Sequence, residues 1–206
     1  MGSKILTFSS IALFVISLVL LTVGFSCMII PSIIVVMTYW YKTTSFQNSD
    51  IQFYIKYNKE KVVNNEEDYS STQDWYDQDN RKNEKKTYNI ALAFDVLAWI
   101  VTILVIGLLL VSLKVSNKLV KFLTIGLSIL SLIFIIISFG SFTRLPNALL
   151  QDVKDQGFSG CADKDYCSKF LNGKHNGPSV GWSVVVASML FTFGGIILST
   201  FTLLKY

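Results

Sequence analysis

The residue with the most unusual chemical setting in this 206-residue chain is Asp95, which lies within the apolar sequence "AFDVLAW". It is the only charged residue between Tyr88 and Leu113. A carboxyl group in such a segment can be an ion-paired or protonated structural peg, a cation site lining a pore, or a contact to a partner helix. Because exposing its charge to lipid would cost several kcal/mol, we expect the side chain to point away from lipid.

Three small or hydroxyl residues share a helical face with Asp95. Ala91, Asp95, Ala98 and Thr102 follow one another at steps of four, three and four residues, which places them on one stripe of a helix. The stripe predicts that Asp95 points into a helix bundle. A water-filled vestibule could satisfy the carboxylate there, and so could Arg144, at the outer end of a later apolar segment.

Cysteine chemistry is concentrated in the sequence "CADKDYC". Of the three cysteines, Cys27 lies in an apolar segment and is expected to be a small buried hydrophobe. For Cys161 and Cys167 we predict a disulfide, which requires an oxidising compartment; two free thiols in a reducing space are the alternative. The single histidine, His175, cannot complete a zinc site, so no metal is expected.

No catalytic constellation is present in the sequence. It contains no His-Glu-x-x-His, no phosphate-binding glycine loop and no Ser-His-Asp set around a nucleophile elbow. We therefore expect a protein that is not an enzyme, with neither catalytic residues nor a cofactor.

The elements that must position these residues are apolar segments. The chain is 51% apolar and only 16% charged, and its apolar residues form four blocks, each long enough to cross about 30 Å of hydrocarbon. We predict an all-α membrane protein in which residues 1–206 form one four-helix transmembrane bundle. The expected spans are about 5–31, 88–113, 119–142 and 180–204, and the loops are 32–87 and 143–179.

Lysines indicate the orientation of the spans. The connection "KVSNKLVK" carries Lys114, Lys118 and Lys121 without an acid, and Lys4 and Lys205 lie near the two ends of the sequence. By the positive-inside tendency both termini are cytoplasmic, so the two long loops are extracellular or lumenal, and we expect the plasma membrane. These lysines account for the excess of basic over acidic residues that gives the chain a net charge of +4. They favour membrane lipids, and not nucleic acid, as partners.

The other spans also carry small and hydroxyl residues on one face. Such residues let helices approach closely and exchange hydrogen bonds in lipid. Together with Ala91, Ala98 and Thr102, the residues predicted to pack helices are Ser128, Ser131, Ser188, Thr192, Gly195 and Ser199.

The first outer loop is predicted to begin with β-structure. After Pro31 the sequence "SIIVVMTYWYKTT" is β-branched and aromatic, and "IQFYIKY" at residues 51–57 alternates like a second strand. The polar remainder, up to Lys86, is interpreted as a flexible tip or a partner-binding surface. Trp40, Trp75 and Tyr76 are the aromatic residues proposed for an interaction surface.

This layout resembles the claudin and peripheral myelin protein group of tetraspan proteins. Four spans, a basic cytoplasmic turn, a larger first loop entered through a proline and a Trp-bearing strand, and a smaller second loop carry the resemblance. It implies a four-helix bundle topped by a small antiparallel sheet, and a role in cell contact, membrane organisation or accessory-subunit assembly. The family's Gly-Leu-Trp and cysteine pair are absent from residues 41–87.

Three functions are compatible with these observations. The first is a non-enzymatic tetraspan that assembles laterally with other membrane proteins or copies of itself, including at cell junctions. The second is an oligomeric channel whose pore is lined by the Asp95 stripe. The third is an accessory subunit of a larger membrane complex.

Overall fold

A computed structural model describes residues 2–29, 39–44, 50–55, 59–65, 69–74, 80–115, 117–157, 170–171 and 176–205. The helices in these ranges are α1 (Gly2–Ile29), α2 (Lys82–Ser112), α3 (Lys118–Phe142), α4 (Leu145–Asp155) and α5 (Val180–Lys205). The strands are β1 (Tyr41–Thr44), β2 (Ile51–Ile55), β3 (Lys59–Asn64), β4 (Tyr69–Asp74) and β5 (Asn176–Pro178).

Four of these helices are long and apolar enough to cross a membrane. The candidate spans are Lys4–Gly24, Lys82–Ser112, Lys118–Phe142 and Val180–Leu203. Large apolar side chains on them remain exposed, such as Phe122 at 68% and Leu190 at 65%, as expected where lipid is the solvent. A helix suits that solvent because it satisfies its backbone polar groups internally. The expectation of four long apolar helices is confirmed, and they indicate an integral membrane protein.

The chain divides into two compact units, of which the first is helical. It comprises Met1–Val23, Ala93–Ser138 and Val184–Tyr206, and so takes in parts of all four long helices. Its apolar core is formed by Phe14 of α1, Val101, Val105 and Leu109 of α2, and Leu203 of α5. This unit is a four-helix bundle.

The second unit contains the sheet. It comprises Gly24–Leu92 and Phe139–Ser183. The five strands lie in the order β4-β3-β2-β1-β5, and every neighbouring pair is antiparallel. Strand β5 comes from the second loop and pairs with β1 in the register Tyr41↔Pro178. The predicted β-containing portion is therefore present, and it joins both loops in one sheet.

Four elements differ from the sequence-based expectation. Strands β3 and β4 lie in the polar region interpreted as a flexible tip, and helix α4 was not predicted. The described side chains of β3 and β4 are partly or fully exposed, so neither strand needs an apolar face. "KEKVVN" and "YSSTQD" therefore lack the alternation of apolar and polar residues by which a strand is predicted. Helix α2 begins at Lys82, before the apolar run at Tyr88. Most of the predicted strand before Trp40 lies outside the described residues.

Candidate functional site

The Asp95 stripe is buried inside the structure. Ala91, Asp95, Ala98 and Thr102 each have an exposed fraction of 0%. Neither carboxylate oxygen of Asp95 has a hydrogen-bond partner among the residues that the structure describes. Arg144, the other group suggested for this carboxylate, is exposed in the turn that precedes α4, and its pairing with Asp95 stays a prediction.

Hydroxyl groups connect the helices of the bundle. Thr102 Oγ1 lies 2.7 Å from Ser131 Oγ and donates to the carbonyl of Ala98 at 2.8 Å, which links α2 to α3. Ser17 Oγ lies 2.7 Å from Thr192 Oγ1 and donates to the carbonyl of Ser188 at 3.1 Å, which links α1 to α5. Hydrogen bonds of this kind contribute about 0.6 kcal/mol each in a membrane, so the links add specificity more than stability.

Close backbone approach accompanies these links. Ser10 Oγ donates to the carbonyl of Gly195 at 3.0 Å, and a Cβ added to Gly195 would lie 2.8 Å from Cε2 of Phe14. Glycine is therefore required where α1 meets α5. Ser128 and Ser199 are also buried, but each donates to a carbonyl of its own helix, Ser128 to Thr124 and Ser199 to Ile196.

Trp40 is buried within the second unit and is not a surface residue. Its exposed fraction is 0%, so its proposed place on an interaction surface is wrong. Its indole N–H donates to the carbonyl of Gly24 at 3.0 Å, and its ring meets Phe142 edge-on at 4.7 Å. A Cβ added to Gly181 would lie 2.7 Å from the indole nitrogen. Trp40 therefore fixes β1 against the ends of α1, α3 and α5.

A larger aromatic cluster extends from Trp40. Phe142 packs edge-on against Tyr88 at 5.0 Å and against Phe170 at 5.8 Å, and Phe170 stacks on Tyr41 at 5.8 Å. Burial, and to a smaller extent the Glu84 carboxylate, raises the pKa of Tyr41 above its usual range. The Tyr41 hydroxyl therefore stays neutral in a cluster that joins residues of both loops to the helices.

An ion-pair network holds the start of α2 against the sheet. Arg81 donates from Nη2 to Oε1 of Glu84 at 2.9 Å and from Nη1 to Oε2 of Glu60 at 2.8 Å, and its Nε bonds the second oxygen of Glu84. Burial lowers the pKa of Arg81, but the carboxylates of Glu84 and Glu60 more than offset this effect and raise it. A two-pronged contact of this kind fixes orientation as well as distance.

Helix α4 supplies the N-terminal cap of α2. Asp152, which is 4% exposed, accepts hydrogen bonds at 2.9 Å from the backbone N–H groups of Asn83 and Glu84. It also accepts one at 2.8 Å from the side chain of Asn83. Sequence reasoning missed this contact, because the cap comes from a distant helix. The available signal was "LPNALLQDVKD", an amphipathic stretch with proline in its first turn.

Strand β4 is one of the two edge strands of the described sheet, and most of its side chains are exposed. It pairs with β3 only, at one end of the sheet order. Tyr69 is 56% exposed, and Ser70, Thr72 and Gln73 are exposed as well. Trp75, Tyr76, Cys161 and Cys167 lie outside the described residues. Within the described ranges no group of three or more His, Cys, Asp or Glu side chains could hold a metal.

The fold and site thus define a protein with four candidate membrane spans and a five-stranded sheet that unites two loops. Compared with known proteins, the sequence matches no family model. It also matches no curated protein.

Proposed function

We propose that this protein is a non-enzymatic tetraspan membrane protein that assembles laterally with other membrane proteins or with copies of itself. In this proposal its sheet serves contact or membrane organisation at the plasma membrane. In layout the chain resembles the claudin and peripheral myelin protein group. A sheet that unites both loops, in a chain with four candidate spans, supports that resemblance, whereas the absent cysteine pair of the first loop sets this chain apart.

The number of spans supports placing all strands of the sheet on one side of the membrane. If each long helix crosses the membrane once, the segments before α2 and before α5 share one side. Both termini and the connection after Ser112 then share the other. Lys4, Lys114, Lys118, Lys121 and Lys205 all belong to the second set. The positive-inside tendency assigns that set to the cytoplasm, and the sheet to the exterior or a lumen.

Strand β4 is the observation that carries the contact proposal. An edge strand presents unpaired N–H and C=O groups that can pair with an extended segment of another chain. The β4 sequence "YSSTQD" contains neither proline nor lysine, the residues that commonly protect edges from such pairing. The exposed ring of Tyr69 adds an aromatic anchor of the type enriched at protein interfaces.

A channel is less well supported by the geometry. A pore between copies would require the Asp95 stripe to face an aqueous axis outside the single chain. Every residue of that stripe is already buried within one copy. The contact proposal therefore needs no rearrangement of α2, whereas a pore of that kind does. An accessory-subunit role is a special case of lateral assembly in which the partner is a larger complex.

Crosslinking from β4 tests this function. A photoreactive amino acid at Ser70 in protein held in native nanodiscs should yield adducts with a second copy or another membrane protein. The same group at Val153, which is 40% exposed on α4, should not. Mass spectrometry identifies the crosslinked chain.

A substitution in β4 tests whether the crosslinks depend on this edge strand. Thr72→Lys places a protective charge on β4 and should lower the crosslinked fraction from Ser70, whereas Val153→Lys should leave it unchanged. A monomeric particle without adducts from Ser70 would refute the contact proposal. Adducts only with one large complex would define the protein as its accessory subunit.

A further inference from the structure

A cavity of about 340 Å³ lies where α2, α3 and α4 meet in the second unit. Lys86 and Ile90 line it from α2, Ser141 from α3, and Asn147 and Gln151 from α4. Arg144 lies on the connection between α3 and α4 and also lines it. The cavity is therefore built from three separate helices and one turn, and all of these residues are described.

The lining is rich in hydrogen-bond donors and carries positive charge. Lys86 and Arg144 supply an ammonium and a guanidinium, the amides of Asn147 and Gln151 add N–H donors, and no carboxylate is present. The nearest acid in sequence, Asp152, already accepts hydrogen bonds from the start of α2. Neither Lys86 nor Arg144 forms an ion pair with another described residue. This donor set is suited to an anion.

The start of α4 adds to the positive potential. Arg144 occupies the N-cap position but provides no side-chain cap for the N–H groups of the first turn. Those groups carry part of the positive end of the helix dipole. An oxyanion in the cavity would lie beside this helix end, within a lining that contains both cations. Phosphate, with several acceptor oxygens, matches this arrangement better than a single acceptor atom does.

Ile90 gives the cavity an apolar edge. It is 36% exposed, and Leu97 and Leu104, at successive steps of seven residues along α2, are 42% and 51% exposed. They share a helix face, which is apolar enough to lie against acyl chains. If α2 and α3 cross a membrane, the cavity lies at the ends of two spans, where hydrocarbon gives way to headgroups, and the apolar face of α2 continues from Ile90 along the same helix.

We propose that this cavity binds the phosphate of a phospholipid headgroup, with Lys86 and Arg144 as its charged ligands and the acyl chains along α2. The site depends on the helices crossing a membrane and is independent of the contact role of β4. A soluble phosphate shares the same headgroup chemistry but would make no use of the apolar face of α2.

Native mass spectrometry of the protein in mild detergent tests the site. The probes are phosphatidylglycerol, diacylglycerol with the same acyl chains, and inorganic phosphate. Wild-type protein should retain phosphatidylglycerol and release diacylglycerol. The double variant Lys86→Gln/Arg144→Gln should bind phosphatidylglycerol about thirtyfold more weakly, which corresponds to about 1 kcal/mol for each cation.

The matched control keeps the charge change and moves it off the cavity. Lys82→Gln/Lys154→Gln removes two exposed cations of α2 and α4 that do not line the cavity, and it should bind phosphatidylglycerol like the wild type. Equal retention by both double variants would overturn the site. Equal retention of diacylglycerol and phosphatidylglycerol by wild-type protein would overturn phosphate recognition without any variant. Displacement by equimolar inorganic phosphate would assign the cavity to a soluble anion instead.

Discussion

Substitution of Gly181 by alanine should destabilise the protein through a collision with Trp40. Gly181 lies in the first turn of α5, and its N–H donates to the carbonyl of Tyr39 at 3.0 Å, so the backbone is held close to β1. A Cβ at this position would contact Cδ1 of the indole and lie 2.7 Å from its nitrogen. The indole is fully buried, edge-on to Phe142, and has no free space into which it can withdraw easily.

The expected magnitude follows from three contributions. Overpacking a buried side chain costs about 1–3 kcal/mol. Displacement of the indole from the Gly24 carbonyl leaves a buried donor without its acceptor, at about 1–3 kcal/mol. The greater helix propensity of alanine offsets up to about 1 kcal/mol. The net loss in the free energy of unfolding should therefore be about 1–6 kcal/mol, near 3.5 at the centre of the range.

Reversible unfolding in mixed micelles of mild detergent and dodecyl sulphate, followed by circular dichroism, measures this loss. Gly140→Ala is the matched control, because a Cβ at that position of α3 meets no atom within 4 Å. It should be neutral or slightly stabilising. In a Trp40→Leu background the cost of Gly181→Ala should shrink by about 2 kcal/mol, since the collision is with the indole. Equal stability of Gly181→Ala and Gly140→Ala would refute the reasoning.

Three further predictions address the helices and the second loop. Asp95→Asn should leave the free energy of unfolding unchanged or raise it by up to about 2 kcal/mol, because the carboxyl bonds no described residue. A loss beyond about 1 kcal/mol in the same titration would instead reveal a partner for the carboxylate. Asp152→Ala should cost about 1–3 kcal/mol by uncapping α2, whereas Asp155→Ala, whose one contact to Asn83 is 3.4 Å long, should stay within about 0.5 kcal/mol. Similar losses for these two variants would contradict the capping role. Cys161 and Cys167 are expected to form a disulfide, so the intact mass should rise on reduction by that of a hydrogen pair, and maleimide labelling at both positions without reductant would contradict it.

The spans are the part of the fold that local sequence predicts best. A helix in lipid satisfies its backbone within one segment, so about 20 consecutive apolar residues suffice to predict it. The four long apolar helices follow from that rule. Helical spacing likewise places Asp95 on one stripe with Ala98 and Thr102, and all three are buried. The length of an apolar span and the face that a residue occupies on its helix both depend on residues nearby in the chain, so they can be predicted from the sequence.

The second unit depends on contacts between distant segments. Strand β5 pairs with β1 from the other loop, Asp152 caps α2 from α4, and Arg81 joins β3 to α2. Trp40 looks like an exposed anchor in the sequence but is buried, because Gly181 leaves space for its ring. Local composition specifies that a segment is apolar or polar, whereas the partner that covers it is chosen by packing over the whole unit. The spans were therefore determined by the sequence alone, whereas the pairing of the strands, the aromatic core around Trp40 and the cationic cavity were decided only by the tertiary structure.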